Sequence, residues 1–302
     1  MKEKILILGG TGFIGYHLAK EALKRGLQVT SLSKNSPVKR RYLKKVKYII
    51  ADISNKNFIN KKIKENFQYI VNLAGYVDHS DNMKTYKSHY LGCKNISNFF
   101  LKKKIKSFIQ VGSSMEYGLA RSPQKENFKC LPKSVYGRAK FLSTQYLLNL
   151  YNKKKFPVTI VRLYQVYGPY QDINRFIPVV INSCKDNKDF PCSHGRQLRD
   201  FLYIDDLIDA IFIILKNPKA QGEIINLGNG KPLKIKNIIK KIKNYYRLGN
   251  PQFNKVKLRK EEQFKIYPSL YKAKKIIKWK AKINFSKGLK KTINYYNENR
   301  SE

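Results

Sequence analysis

The sequence predicts an α/β fold, a doubly wound parallel sheet with a smaller C-terminal lobe, on three observations. Short apolar runs alternate with amphipathic stretches through the first half of the chain, as strands and helices do in a parallel sheet. A glycine-rich turn, Gly9 to Gly15, joins the first apolar run to the first amphipathic one. After about residue 165 the alternation gives way to irregular segments, too short to form an independent second domain.

Strands are expected at Ile5–Leu8, Gln28–Leu32, Val46–Ile50, Tyr69–Leu73, Ser107–Val111 and Val158–Leu163. The clearest helices between them are Thr85–Lys104 and Val135–Asn152. Arg175–Cys184 reads as a helix, and Leu207–Leu215 as an apolar one with Asp205 and Asp206 near its N-terminus, where carboxylates are favoured. Ile224–Leu227 reads as a strand, followed by helices near Lys234–Tyr245, Tyr271–Lys278 and Lys287–Asn297.

With 42% of its 302 residues apolar, the chain can bury a sizeable core. No apolar run approaches the roughly 20 residues a membrane-spanning helix needs. Ile5–Leu8 is too short for the apolar region of a signal peptide, so a cytoplasmic protein is expected. Cys93, Cys130, Cys184 and Cys192 are scattered, and His17, His79, His89 and His194 are isolated, so neither a disulfide framework nor a metal site is expected.

The charge is extreme, with 62 Lys and Arg against 20 Asp and Glu for a formal +42. Such a field attracts polyanions, so nucleic acid or an anionic membrane surface has to be considered. The lysines, however, run evenly along the chain, and the runs at 102–104 and 153–155 fall where helices would end, a favoured place for cations. The reading adopted is a lysine-biased solvated surface with no nucleic-acid partner, whose field also favours phosphorylated small ligands.

Gly10, Gly12 and Gly15 fit Gly-x-Gly-x-x-Gly, and the turn follows a strand and opens a helix. Glycines let the backbone approach a pyrophosphate, and the helix N-terminus offers it free N–H groups. A lone glycine motif also occurs for packing alone, but the whole strand–turn–helix–strand unit is present here. Gly9, Gly12, Phe13, Ile14 and Gly15 are therefore candidate dinucleotide-binding residues. Residues 1–165 become a dinucleotide-binding domain to which 196–228 returns, and 166–195 with 229–302 become a substrate-binding lobe.

A carboxylate about 20 residues past the glycines usually binds the ribose of NAD. Here Ser33 and Lys34 stand at that place, with Lys39, Arg40 and Arg41 nearby, which favours NADP, with NAD the alternative. The same residues also suit an ordinary basic surface. Asp52, after the third strand, suits either the adenine amino group or a helix cap.

Tyr136 and Lys140 stand at i and i+4, on one face of a helix. An ammonium near a phenol is expected to lower its pKa, preparing the tyrosine to exchange a proton with a sugar hydroxyl or carbonyl while hydride moves to or from nicotinamide. Chance Tyr-x-x-x-Lys matches are common in so Tyr- and Lys-rich a chain. This one follows a fifth strand whose end carries Ser113 and Ser114, at the edge of a parallel sheet where ligands bind.

These residues resemble the extended short-chain dehydrogenase/reductase family, in its branch of sugar-nucleotide epimerases, dehydratases and 4-ketoreductases. The likeness runs through Gly-Gly-Thr-Gly-Phe-Ile-Gly (9–15), Asn-Leu-Ala-Gly (72–75), Gly-Ser-Ser-Met-Glu-Tyr-Gly (112–118), Tyr-Gly-Arg-Ala-Lys (136–140) and Tyr-Gly-Pro (167–169). It continues through residues 195–206, Asn-Leu-Gly (226–228) and the surroundings of Trp279. The resemblance implies a Rossmann lobe with a small substrate lobe, and a homodimer through the two long helices. It implies a Ser113, Tyr136 and Lys140 triad, with Asp52, Ile53, Ala74 and Gly75 along the cofactor. Arg199 would meet the diphosphate of a nucleotide-sugar, with Ser114, Gln165 and Arg175 as further substrate contacts.

Departures from the pattern narrow this. The 4,6-dehydratases carry Asp-Glu where Ser114-Met115 stand here, so dehydration is not expected. The epimerase-reductases that make fucose nucleotides carry a Cys at Met115, and Gln165 replaces a frequent Asn. Three readings follow: an NADPH-dependent 4-ketoreductase acting on a 4-keto-6-deoxysugar nucleotide, a 4-epimerase with retained NAD, and a non-catalytic nucleic-acid-binding relative. The triad serves both enzymes; Ser33-Lys34 favours the first, and an unbroken triad speaks against the third.

Overall fold

The computed structural model describes residues 2–78, 80–258 and 262–299, so His79 lies outside the described residues. Seven strands make one fully parallel sheet: β1 Lys4–Leu8, β2 Gln28–Ser33, β3 Val46–Ile50, β4 Tyr69–Asn72, β5 Ser107–Ser113, β6 Val158–Leu163 and β7 Ile224–Leu227. Their order is β7-β6-β5-β4-β1-β2-β3, the doubly wound arrangement. Alternation along β1 shows how both faces are covered: Ile5 and Ile7 enter one apolar cluster, Leu6 and Leu8 the other, all with no exposure.

The first cluster lies under α1 (Phe13–Lys24), which packs beside α7 (Ile204–Leu215). The second is capped by α2 (Lys56–Lys62), α4 (Gly92–Leu101) and α5 (Val135–Lys154). Helix α5 starts at Ser134, whose hydroxyl accepts from the Gly137 N–H, and ends where Lys155 turns left-handed at φ 53°.

The single helix expected over Thr85–Lys104 is interrupted. Helix α3 (Asn82–Tyr86) runs into a π-helical turn, Lys87–Leu91, before α4 begins. Such a turn widens the helix by one residue and leaves a carbonyl displaced from its usual partner. Here Ser143 of α5 donates to the His89 carbonyl at 2.8 Å and so satisfies it. The apolar periodicity of 85–104 does not register a one-residue insertion.

Beyond Leu163 the chain makes small, non-local strand pairs. Gln165–Tyr167 lies parallel to Phe201–Tyr203, and Leu198–Arg199 sits between Leu233–Lys234 and Lys265–Ile266. Asp189–Pro191 pairs with Asn250–Gln252. Around them are α6 (Phe176–Lys185), α8 (Ile235–Tyr246) and α10 (Phe285–Glu298), while α9 (Tyr271–Ile277) returns to pack on β7. Two buried carboxylates tie these segments down. Asp200 accepts the N–H groups of Asn229 (2.7 Å) and Gly230 (2.6 Å), and Asp206 those of Lys282 (3.0 Å) and Ile283 (2.9 Å). No helix among the described residues is long and apolar enough to cross a membrane.

Candidate active site

The site is assembled at the C-terminal ends of the central strands. The glycine turn leaves β1 and opens α1, with Gly12 as the residue before the helix and Phe13 and Ile14 in its first turn. A side chain on Gly15 would stand 2.4 Å from the Gly9 carbonyl oxygen, so close packing of the turn on the helix requires that glycine. A side chain on Gly12 would meet only that same oxygen, at 3.4 Å. The turn is thus crowded behind and open in front, a cradle that suits a pyrophosphate.

Ser33 ends β2, and its hydroxyl accepts from the Thr11 N–H of the glycine turn at 3.3 Å. Lys34 follows and lies 3.5 Å from a carboxylate oxygen of Asp52. The other Asp52 oxygen accepts from the Ser54 N–H and hydroxyl, while the cap of α2 is Asn55, so Asp52 is not the helix cap. Ile53 is buried against Gly92. Of the nearby basic residues, Arg41 is buried, bonded to the Tyr170 carbonyl and to Asp172. Its charge is therefore committed to the 170–172 loop and not to the end of β2.

After β4, Asn72 accepts from the Ala74 N–H, and Gly75 lies directly on His89. A Cβ on Gly75 would fall 1.9 Å from the imidazole Cε1. The imidazole bonds the Tyr76 carbonyl at 3.1 Å and meets the Tyr136 ring edge-on, with centroids 5.0 Å apart. His89 was missed in sequence because isolated histidines carry no spacing signal; only the fold brings it to Tyr136.

Ser113, at the end of β5, has its hydroxyl within hydrogen-bonding reach of the Tyr136 phenol. Lys140 is buried and donates to the Val111 carbonyl at 2.7 Å, with its Nζ 5.9 Å from the Tyr136 ring centroid. The three candidate residues therefore converge. Their electrostatics depart from the expectation of a lowered phenol pKa. Burial raises the Tyr136 pKa; the Ser113 hydroxyl pulls it down, Glu116 pushes it up and the Arg175 charge again lowers it. Burial also depresses Lys140, to about 8. Removal of both groups from water outweighs any help the ammonium gives the phenol.

Ser114 is buried beside Ser113, and Met115 is exposed. Arg175 precedes α6, placing its guanidinium 3.5 Å from the Val77 carbonyl. Gln165 and Arg199 line a cleft of about 380 Å³ with Phe176, Gln197, Phe201 and Glu262. Arg199 is paired there with Glu262 and donates to the Leu198 carbonyl at 2.9 Å, so a diphosphate would meet a guanidinium already engaged. A wider groove of about 1210 Å³, among Lys125, Glu126, Lys272 and Lys275, shares no residue with the site.

Glu116 was also missed. It is fully buried, accepts the Ser113 N–H at 2.9 Å, and pairs with Arg162 of β6. Ser113-x-x-Glu116 is a capping-box pattern and was readable as such.

A glycine turn after β1 and a buried Ser–Tyr–Lys group after β5, both at the C-terminal edge of a doubly wound sheet, are the arrangement of a dinucleotide-binding α/β enzyme. Residues 5–228 match the NAD dependent epimerase/dehydratase family, and the chain belongs to it. This is an enzyme family acting on nucleotide sugars. The chain is 28% identical over 320 residues to a UDP-N-acetyl-alpha-D-glucosaminuronate decarboxylase of Bacillus cytotoxicus, covering 99% of each. It is 27% identical over 311 residues to a putative UDP-glucose 4-epimerase of Methanocaldococcus jannaschii, covering 98% of this chain and 99% of the other. The X-ray structure of Pal from Bacillus thuringiensis superposes with a TM-score of 0.90 at 25% identity, covering 98% of this chain and 99% of that one.

Proposed function

We propose that this chain reduces the 4-keto group of a nucleotide-linked 4-keto-6-deoxysugar with NADPH. The observation that carries the reading is what the site contains: Ser113, Tyr136 and Lys140 converge, while Ser114 and Met115 beside them hold no acid or base. One proton donor and one orienting hydroxyl serve reduction at a single carbon, whereas eliminating water across two carbons needs a further acid and base.

In this reading Ser113 orients the carbonyl oxygen and Tyr136 delivers the proton to it. Burial keeps the phenol protonated at neutral pH, the state a donor requires. The Lys140 ammonium supports the phenolate left behind. The dinucleotide supplies the hydride. Gly9, Gly12, Phe13, Ile14, Gly15, Ser33, Lys34, Asp52, Ile53, Ala74 and Gly75 would hold that dinucleotide, and Ser114, Gln165, Arg175 and Arg199 the sugar nucleotide. Residues 1–165 with 196–228 form the cofactor domain, and 166–195 with 229–302 the substrate lobe. The chain would act in the cytoplasm as a homodimer through the helical stretches 82–101 and 135–154, on which Met83 and Leu142 are exposed.

A second reading, 4-epimerisation with retained NAD, is favoured by one observation: Lys34 is paired with Asp52, which leaves less charge for a 2′-phosphate. The likeness to a putative UDP-glucose 4-epimerase points the same way. To decide, any cofactor is released from the purified protein and identified, and the stripped protein is titrated with NADPH and NADH. It is then offered NADPH with nucleoside-diphosphate 4-keto-6-deoxyhexoses. An exchangeable site preferring NADPH, with turnover reduced at least about 100-fold in Tyr136→Phe, is expected. Tightly held NAD with 4-epimerisation of a UDP-hexose selects the second reading, and near-normal turnover by Tyr136→Phe removes both.

A further inference from the structure

We propose that Glu116 is a positioning residue of this reaction: its carboxylate, fixed by Arg162 and Thr144, holds the backbone of Ser113 and sets a negative charge beside the Ser113–Tyr136–Lys140 group. The proposal rests on the reading of that group as the reacting one.

Both Glu116 oxygens are engaged. One Glu116 oxygen accepts the Ser113 N–H at 2.9 Å. The other accepts the Thr144 hydroxyl at 2.8 Å and the Arg162 guanidinium at 3.0 Å (Nε) and 2.9 Å (Nη2). Glu116 and Arg162 are 0% and 1% exposed. The carboxylate lies against Gly112, where an added Cβ would come within 2.4 Å of its oxygen. It therefore reaches from the β5 strand end to β6 and α5, the elements that carry or flank all three reacting residues. Arg162 is itself held over the Tyr117 ring at 4.4 Å, and the Tyr117 hydroxyl donates to Asn226 at 2.8 Å.

A buried ion pair costs desolvation and is weak evidence for stability, so its position needs another reason. The charge supplies one. Glu116 raises the pKa of Tyr136, which keeps the proton on the donor, and raises that of Lys140, which keeps the ammonium. The other charged or titratable groups facing this region are Arg162 on β6, Tyr117 after β5, Cys93 on α4, Arg175 before α6, His89 in the π turn and Cys130 in the loop before α5. Arg162 pairs with the Glu116 oxygen that does not accept from Ser113, and the Arg175 charge opposes the effect of Glu116 on Tyr136.

The test reads the Tyr136 titration directly, as the phenolate difference absorbance between otherwise identical proteins with Tyr136 and with Tyr136→Phe. Glu116→Gln should move that midpoint down by about one pH unit, the scale of one nearby charge. It should also move the alkaline limb of kcat/KM towards lower pH, because Lys140 loses its proton sooner. Glu116→Asp keeps the charge but withdraws it from the Ser113 N–H. It should hold the midpoint while lowering kcat about tenfold, with the cofactor Kd unchanged. If the lone Gln strands Arg162 and prevents folding, Glu116→Gln/Arg162→Gln is titrated instead, with a smaller downward shift expected because the opposing Arg162 charge is removed as well. An unmoved midpoint in the Gln variant that folds, or full kcat in Glu116→Asp, overturns the proposal. A wild type inactive on every sugar nucleotide would instead strike the functional reading, since the titration needs no substrate.

Discussion

Lys140 shows what the site costs the fold. Its pKa falls from the ordinary 10.5 to about 8 because burial disfavours the ammonium. Below about pH 8 both folded and unfolded chains carry the charge, and only the folded chain bears the burial penalty. As pH rises from about 8 to about 10.5 the folded lysine is already neutral, so the penalty fades and stability rises. Lys140→Met should therefore be inactive yet more stable at pH 7, by up to about 3 kcal/mol, with the gain gone by about pH 10.5. The Val111 carbonyl keeps a partner in the variant, because Gln110 Nε2 also donates to it at 3.1 Å. Urea unfolding at pH 7 and pH 10.5 measures both arms, and a variant no more stable than wild type at pH 7 removes the argument. At this scale Tyr136 and Lys140 were legible because their spacing is local to one helix. The raised pKa of Tyr136 was not legible, since burial is set by distant residues. Glu116 was legible only as half of a capping box; its pairing with Arg162, 46 residues away on the next strand, was not.

At the scale of elements, amphipathic helices and buried strands follow their local pattern. The six expected strands all fall within or beside β1 to β6, and Ile224–Leu227 is β7 to the residue. The π turn at Lys87–Leu91 escaped because its cause is tertiary: His89 turns inward onto Gly75 and Tyr136. The strands of the second lobe escaped for a related reason. Leu198–Arg199 is two residues long and paired with segments far along the chain, so no periodicity marks it. The contact between the segment after β4 and the π turn yields a prediction. Gly75→Ala places a methyl 1.9 Å from a rigid ring, so the ring or the strand end must move. Overpacking of this kind costs about 1–3 kcal/mol. The variant should unfold at lower denaturant and bind dinucleotide at least about tenfold more weakly, because the Gly75 backbone shifts with it. Adding His89→Ala opens the space and should restore most of the stability. If the double variant is no more stable than Gly75→Ala alone, the clash is not the cause.

The whole molecule carries a formal charge of +42, and its 14 described ion pairs cannot neutralise it. Most of the pairs involve at least one exposed partner and are worth little each, as with Lys34–Asp52 at 71% and 37% exposure. The unpaired lysines repel one another in the compact state, and they draw anions from solution. Salt should therefore act in opposite directions on the two properties. Raising KCl from about 0.05 to about 0.5 M shortens the Debye length from above 10 Å to a few ångströms. Screening the repulsion should raise the thermal midpoint, while screening the attraction should slow association with NADPH and weaken its binding. Sucrose at matched osmolality stabilises by exclusion but screens no charge, so it should raise the thermal midpoint without weakening NADPH binding, which separates screening from exclusion of a cosolute. A lysine surface that is only a solvated coat predicts the stability change with an unaltered association rate. Stopped-flow quenching by NADPH across the salt series tells the two apart, and a flat rate would confine the charge to solubility.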